Sequence, residues 1–542
     1  MMKKVSDFIS FYKTIEIHAK QEGYTIDCSA DGQGTFSTTT TGVSKSVVAR
    51  LFPISTKQIQ FIVQQANKYS VPLQPISCGK NWGYTDATPS CDNSVVIDLS
   101  KKNKILQIDE INKFAIIEPG VTQKQLSEAL ANTQLFMDCT GSSTNSSVVG
   151  NILERGFGYS PFGDRFGHSC SYEIILGNGT ILQTGSLAYN QLNVHKPDTC
   201  HTQRTAGPMI EGLFSQSNFG IVSKLCIWLM PRPQKVLPFI ALFKSYEDFL
   251  SAIEPISRLK SLGVANSTIH IGNSMRILSS NVSWQGITGI VPEEEINMQL
   301  TKLGIGQWVM SGALYGTRAM VKVYKKELIK QLKASGDVKI NFLEPQLIKK
   351  VSALLNRLPR NLLITLKSQL EFAQGLIDIH TGKPTNIFLK SCYHLHPKGF
   401  PNTFDEKLNI AKDGCGLIWV SPTSSANRQS VNQLLSMLKE TFEAQGFHLY
   451  ATLSFINDRS IAIICNPIFD VTNDNEISRA QKCTAMALQN CIDDGFPPYR
   501  VANAHWDLFY QQLSPEHQNL ITAVKKQLDP NSIVSPGRYG IE

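Results

Sequence analysis

Apolar residues recur along this chain in two rhythms, short alternating runs and longer one-sided spacings, which take turns from about Val43 to Pro233. SVVARLFPIS, VPLQPIS, NSVVIDLS and KFAIIEPG are short and rich in β-branched residues, which predicts strands, the last two buried. Between the first two, TKQIQFIVQQANKYS puts Ile59, Ile62, Val63 and Ala66 on one face of a helix, with Thr56 as its N-cap. VTQKQLSEALANT predicts another helix, and EIILGNGTILQTG a hairpin turning at Asn178-Gly179. Pro231, Pro233 and Pro238 then break the pattern. From about Val236 to Asp494 a second α/β region follows. Its helices are YKKELIKQLKA and SVNQLLSMLKETFEAQ, and its strands CGLIWVSP, YATLSFIN and SIAIICNPIF. The first region reads as α+β with mixed sheets.

At 542 residues the chain exceeds one compact core, so two or more domains are expected. With 42% hydrophobic and 18% charged residues, it has the balance of a globular enzyme rather than a disordered chain. The net charge of +8 is scattered, and groups such as Lys325-Lys326 and Lys349-Lys350 read as solvated faces, although the excess could draw in an anionic ligand. No basic stripe with interleaved aromatics occurs, so a nucleic-acid partner is not expected. The 12 cysteines form no CxxC pair and several sit in apolar runs, which predicts reduced thiols and a cytoplasmic setting. MMKKVSDFISFYKTIEIH lacks the apolar core and cleavage site of a signal peptide, and no apolar run reaches the roughly 18 residues of a membrane span.

Three loops carry the candidate chemistry. PISCGKNWGY (Pro75 to Tyr84) leaves a strand and turns at Gly79 and Gly83, leaving successive backbone N–H groups to face a phosphate-bearing ligand. TGSSTNSSVVGN (Thr140 to Asn151) is followed closely by ERGFGYSPFGDRFGH. GPMIEGLFSQSNFGIVSKLCIWLMP spans Gly207 to Pro231.

In order and wording these segments resemble the flavoprotein family of vanillyl-alcohol oxidase and 4-cresol methylhydroxylase. The likeness resumes in DDGFPPYR (Asp493 to Arg500) and LDPNSIVSPGRYGI (Leu528 to Ile541). It implies a two-subdomain FAD-binding domain over residues 1–235, an inserted α/β cap over 236–494, and a segment 495–542 completing the FAD domain. FAD contacts implied by the match are Pro75, Ile76, Ser77, Cys78, Gly79, Lys80 and Asn81 in the first loop. Gly141, Ser142, Ser146, Ser147, Gly150 and Asn151 follow in the second, with Gly158 and Tyr159 just beyond. Ser217, Gly220, Ile221 and the basic Arg538 complete the set.

The resemblance also implies a reaction: hydride transfer from the benzylic carbon of a para-substituted phenol, bound as phenolate, to flavin N5. Holding a phenolate needs hydroxyl donors and a cation that cannot be lost. The positions that match the family's clamp are Tyr84, Tyr499 and Arg500. Asp164 reads as an acid holding its turn rather than as a base. Where the family has an Asp before "VGN", this chain has Gly141-Ser142-Ser143, and a neutral hydroxyl cannot take up a proton as a carboxylate does. Where some members link FAD through His or Tyr, this chain has Gly416 or Leu417, so FAD is expected to be non-covalent; nearby Cys415 reads as a buried thiol. His394 and His396 stand without a third ligand, so no metal is expected. Arg459 is a further candidate cation for the cleft. The electron acceptor is dioxygen or a protein carrier, and a homodimer is implied by resemblance alone. Two alternatives remain: a non-phenolic alcohol or 2-hydroxy acid as substrate, with Arg500 and Arg459 gripping a carboxylate, or a non-catalytic flavin-binding protein.

Overall fold

The computed structural model describes residues 7–28, 39–189, 200–286, 289–355, 364–405 and 407–542; the lysines at the amino-terminus lie outside them. Alternating β and helical patterns at the start build two small sheets. In the first, Val47–Phe52, Ser94–Asp98 and Leu73–Ile76 run parallel, and Thr25–Asp27 adds an antiparallel edge. Parallel neighbours need a crossover, supplied by the helix Thr56–Tyr69, whose Ile59, Ile62, Val63 and Ala66 are buried as its spacing requires. Its N-cap is Ser55, not Thr56. Ser55 keeps extended backbone and accepts the Gln58 N–H, whereas Thr56 is already helical and donates its hydroxyl to Glu173.

The second sheet is antiparallel, in the order Ile105–Asp109, Phe114–Ile117, Gly220–Trp228, Ser169–Leu176, Ile181–Gln183. The expected hairpin joins its last two strands, with the Gly179 N–H closing on Leu176 O and φ of +84° at Gly179.

The cap is one eight-stranded antiparallel sheet, in the order Val338–Phe342, Lys235–Phe243, Trp308–Gly316, Ile269–Asn273, Tyr450–Phe455, Ser460–Asn466, Val420–Ser425, Pro498–Val501. Because successive side chains point to opposite faces, Phe239, Ala241, Ile269, Ile271, Ala451 and Leu453 enter the core under the helices. Their neighbours Ile240, Leu242, His270, Gly272, Thr452 and Ser454 face the FAD-binding half and line a cavity.

Two expected strands are divided. SIAIICNPIF breaks at Pro467, which has no N–H for the ladder, into Ser460–Asn466 and Ile468–Asp470. CGLIWVSP becomes Cys415–Leu417 and Val420–Ser425, because the Leu417 and Trp419 N–H groups leave the sheet for Thr40 O and Gly83 O. The boundary at 494/495 also shifts. Pro498–Val501 pairs with Val420–Ser425 and belongs to the cap sheet. Only the stretch beyond it returns to the FAD-binding half, where Trp506, Tyr539 and Ile541 join one core and Ile533 and Val534 another.

Candidate active site

The two halves enclose a cavity of about 900 Å³ reached by all three loops and by the solvent-opposed face of the cap sheet. The turn after Leu73–Ile76 presents the backbone N–H groups of Cys78 and Gly79, which have no acceptor among the described residues; those of Gly141 and Ser142 are equally unpaired. Successive unpaired N–H groups at a left-handed glycine (Gly79, φ +63°) on the cavity wall suit an anion. A dinucleotide pyrophosphate fits there.

Two residues further along the same loop, Asn81 meets the cationic cluster. Arg500 is held in register opposite Ser421 across the cap sheet. Its guanidinium lies 3.7 Å from the Tyr84 ring centroid and donates to Asn81 Oδ1 at 2.7 Å. The Tyr84 hydroxyl shares a 2.7 Å hydrogen bond with Ser421 Oγ. Tyr499 stands in electrostatic contact with both Tyr84 and Arg500, and its ring packs on Phe157. Burial raises Tyr499 well above the ordinary phenol range, so it is a neutral O–H donor at physiological pH. Burial opposes the charge on Arg500, but the Glu154 carboxylate 3.7 Å away offsets it and the guanidinium stays protonated. Its Nε is buried with no partner. An orphan cationic donor beside two phenols suits an oxyanion.

All three expected clamp residues therefore meet. Of the expected FAD contacts, the structure brings to the cavity Pro75 to Asn81, Gly141, Ser142, Ser146, Ser147, Gly150, Asn151, Tyr159, Ser217, Ile221 and Arg538. Gly158 and Gly220 stand elsewhere. A side chain at Gly158 would overlap the Asp138 carboxylate, and one at Gly220 would strike Ile174, so both glycines serve close internal packing. Arg538 reaches the wall already paired with Glu154, whose other oxygen accepts the Tyr539 hydroxyl.

Other expectations are corrected or refined. Arg459 is not a cleft cation: its side chain is 89% exposed beside Asp458. Asp164 accepts the Gly167 N–H and holds its turn. His394 and His396 bond the carbonyls of Val282 and Asp413. Cys415 is buried with Trp82 and Leu417 behind the wall rather than on it. Residues that sequence reasoning missed are Glu154, Gln216, His270, Arg276, Cys392 and Trp419. Glu154 and Trp419 sit inside quoted motifs, whereas only the face assignment of the cap sheet could have singled out His270.

Comparison with known proteins agrees with this geometry. A family model described as an FAD binding domain matches residues 48–185. Over 493 residues, 90% of this chain and 86% of the relative, the sequence is 28% identical to the 4-cresol dehydrogenase [hydroxylating] flavoprotein subunit of Pseudomonas putida. It is 29% identical over 512 residues to 1'-carboxy-chondrochloren decarboxylase of Chondromyces crocatus, covering 93% and 92% of the two chains. The fold matches a 4-ethylphenol oxidase from Gulosibacter chungangensis, solved as an isoeugenol complex, with a TM-score of 0.86 at 23% identity and 100% and 99% coverage. The protein is an FAD-linked oxidoreductase. Its fold matches structures of the vanillyl-alcohol oxidase and p-cresol methylhydroxylase type over the full length, with an FAD-binding domain and a cap.

Proposed function

We propose that the protein oxidises para-substituted phenols, such as 4-alkylphenols or 4-hydroxybenzyl alcohols, by removing hydride from the benzylic carbon. One observation carries this reading: Arg500, with an unpaired buried Nε, lies over the Tyr84 ring and interacts with Tyr499 on the cavity wall.

When bound, FAD supplies the hydride acceptor at N5. The chain's own residues do the rest. Arg500 and Tyr499 favour the ionised form of the phenol, whose electrons then push hydride from the benzylic carbon. Asn81 and Glu154 fix the guanidinium, and Gln216 donates to Tyr499 O and so holds the strand that carries the clamp. The loop Thr140 to Ser146 brings hydroxyls, not a carboxylate, to the cavity: the Thr140 and Ser142 hydroxyls lie 2.6 Å apart, and those of Ser142 and Ser146 2.8 Å apart. Water can be placed there by hydrogen bonding but not deprotonated. The electron acceptor is dioxygen or a protein carrier, and 12 thiols joined in no disulfide support a cytoplasmic setting.

The test is a screen of 4-substituted phenols for flavin bleaching under nitrogen, against 2-hydroxy acids. Arg500→Ala should keep FAD and lose about 100- to 1000-fold in the rate of bleaching, the scale of a lost oxyanion donor. Bleaching by hydroxy acids alone, or an Arg500→Ala enzyme with near wild-type rate, overturns the reading.

A further inference from the structure

Resting on the phenol reading above, we infer that the substrate's para side chain ends in a carboxylate and that Arg276 binds it. Arg276 lies on the cavity wall, on the short helix Ser274–Ser279 that follows the cap strand Ile269–Asn273. One terminal nitrogen donates to Tyr450 O at 2.9 Å and to Asn466 Oδ1 at 2.5 Å, which fixes the guanidinium plane. The Nε is buried and has no partner.

The charge balance distinguishes this arginine from the others nearby. Buried Arg165 faces Asp138 at 3.4 Å, and Arg500 and Arg538 share Glu154. The groups that act electrostatically on Arg276 are Cys392, Cys465, Tyr450 and Tyr159, thiols and phenols that are neutral at physiological pH. Among the described residues no carboxylate offsets its charge. A desolvated cation without a counter-charge is costly, and on the wall of a ligand cavity the ligand can provide the missing anion.

Position fits this role. Arg276 lies 5.4 Å from the Trp419 ring centroid, the Trp419 and Tyr84 rings are 6.3 Å apart, and Arg500 lies over the Tyr84 ring. The two guanidiniums thus flank one aromatic row. A phenolate oxygen at Arg500 leaves the para side chain to run past Trp419 toward Arg276. Planar two-oxygen geometry matches a guanidinium, and Phe388, Leu389 and Ile464 line the same cavity as the apolar surface a para side chain would follow.

The experiment uses FAD-loaded protein and 4-hydroxycinnamate, which has no saturated benzylic carbon and therefore binds without transferring hydride. Its dissociation constant is read from the flavin difference spectrum, beside that of 4-vinylphenol, its uncharged counterpart. Arg276→Met should weaken 4-hydroxycinnamate roughly 100-fold, as expected for truncating one partner of a buried charge pair, and 4-vinylphenol by less than about threefold. Arg276→Lys, which keeps the charge, should recover much of the affinity for the acid and shows that loss is not misfolding. Equal weakening of both ligands, or of neither, overturns the assignment. If the wild type binds neither phenol yet binds 3-phenylpropanoate in an Arg276-dependent way, the phenol reading fails while the anion site stands.

Discussion

Cys392 lines the cavity close enough to Arg276 to feel its charge, while Cys415 packs behind it against Trp82 and Leu417. Burial pushes Cys392 up to about 11 and Cys415 well above the usual thiol range, so both are protonated at neutral pH. A thiol is a poor nucleophile compared with its thiolate, and attachment to a flavin needs the latter. Gly416 cannot gain a side chain without striking Phe469, and Leu417 is inert. FAD should therefore be held by backbone N–H groups and packing alone. Precipitation with acid should leave the yellow colour in the supernatant; colour retained in a denatured pellet would implicate Cys392 first, which a Cys392→Ser variant would test.

The link between loop and sheet depends on one glycine. Gly83 has φ of +77°, and an added methyl would overlap both the Trp419 ring and the Leu417 side chain. Trp419 cannot retreat easily, since its N–H bonds Gly83 O and its indole nitrogen donates to Trp82 O. Gly83→Ala should cost roughly 1–3 kcal/mol from overpacking, plus strain from the left-handed backbone. Thermal denaturation should show a lowered melting temperature, and bleaching by phenols should slow because Tyr84 is the next residue; an unchanged melting temperature would mean that the cap does not clasp this loop. The motif from Pro75 to Tyr84 was legible in the sequence because its glycines, its Tyr and its place after a strand are local features. The meeting of Tyr84, Tyr499 and Arg500 was legible too, since each sits in a distinctive segment. Arg276 and His270 were not. They lie on the short strand Ile269–Asn273 and the short helix Ser274–Ser279, a stretch in which no motif or periodicity marked an element or the face that meets the FAD-binding half. The division of CGLIWVSP was hidden for a related reason: it follows from hydrogen bonds to Thr40 and Gly83, hundreds of residues away in sequence.

Across the molecule, five histidines are packed away from water in their neutral form. Burial lowers His270, His394, His448 and His505 to about 4 and His380 to about 3. They are spread over the whole assembly. His270 packs tilted and His380 edge-on against Tyr159 where the halves meet, His394 and His448 lie deep in the cap, and His505 bonds Thr484 near the returning carboxyl-terminal segment. His448 Nε2 accepts the Val291 N–H at 2.7 Å, which requires an unprotonated nitrogen. In an unfolded chain each would titrate near about 6.5, so between there and about 4 the unfolded state binds more protons than the folded one. Stability is then fully present above about 6.5 and falls as pH drops through that window. Asp86, raised to about 6 by burial, works the other way, gaining its proton more readily when folded, and burial also raises Asp138 and Asp378. Three such carboxyls are outnumbered by the five imidazoles. The melting temperature, measured at fixed salt with saturating FAD, should fall steadily from about pH 7 to about pH 4.5. His448→Gln, whose amide oxygen can still accept the Val291 N–H, should make that slope shallower. A melting temperature independent of pH over this range would show that these imidazoles become protonated without unfolding the chain.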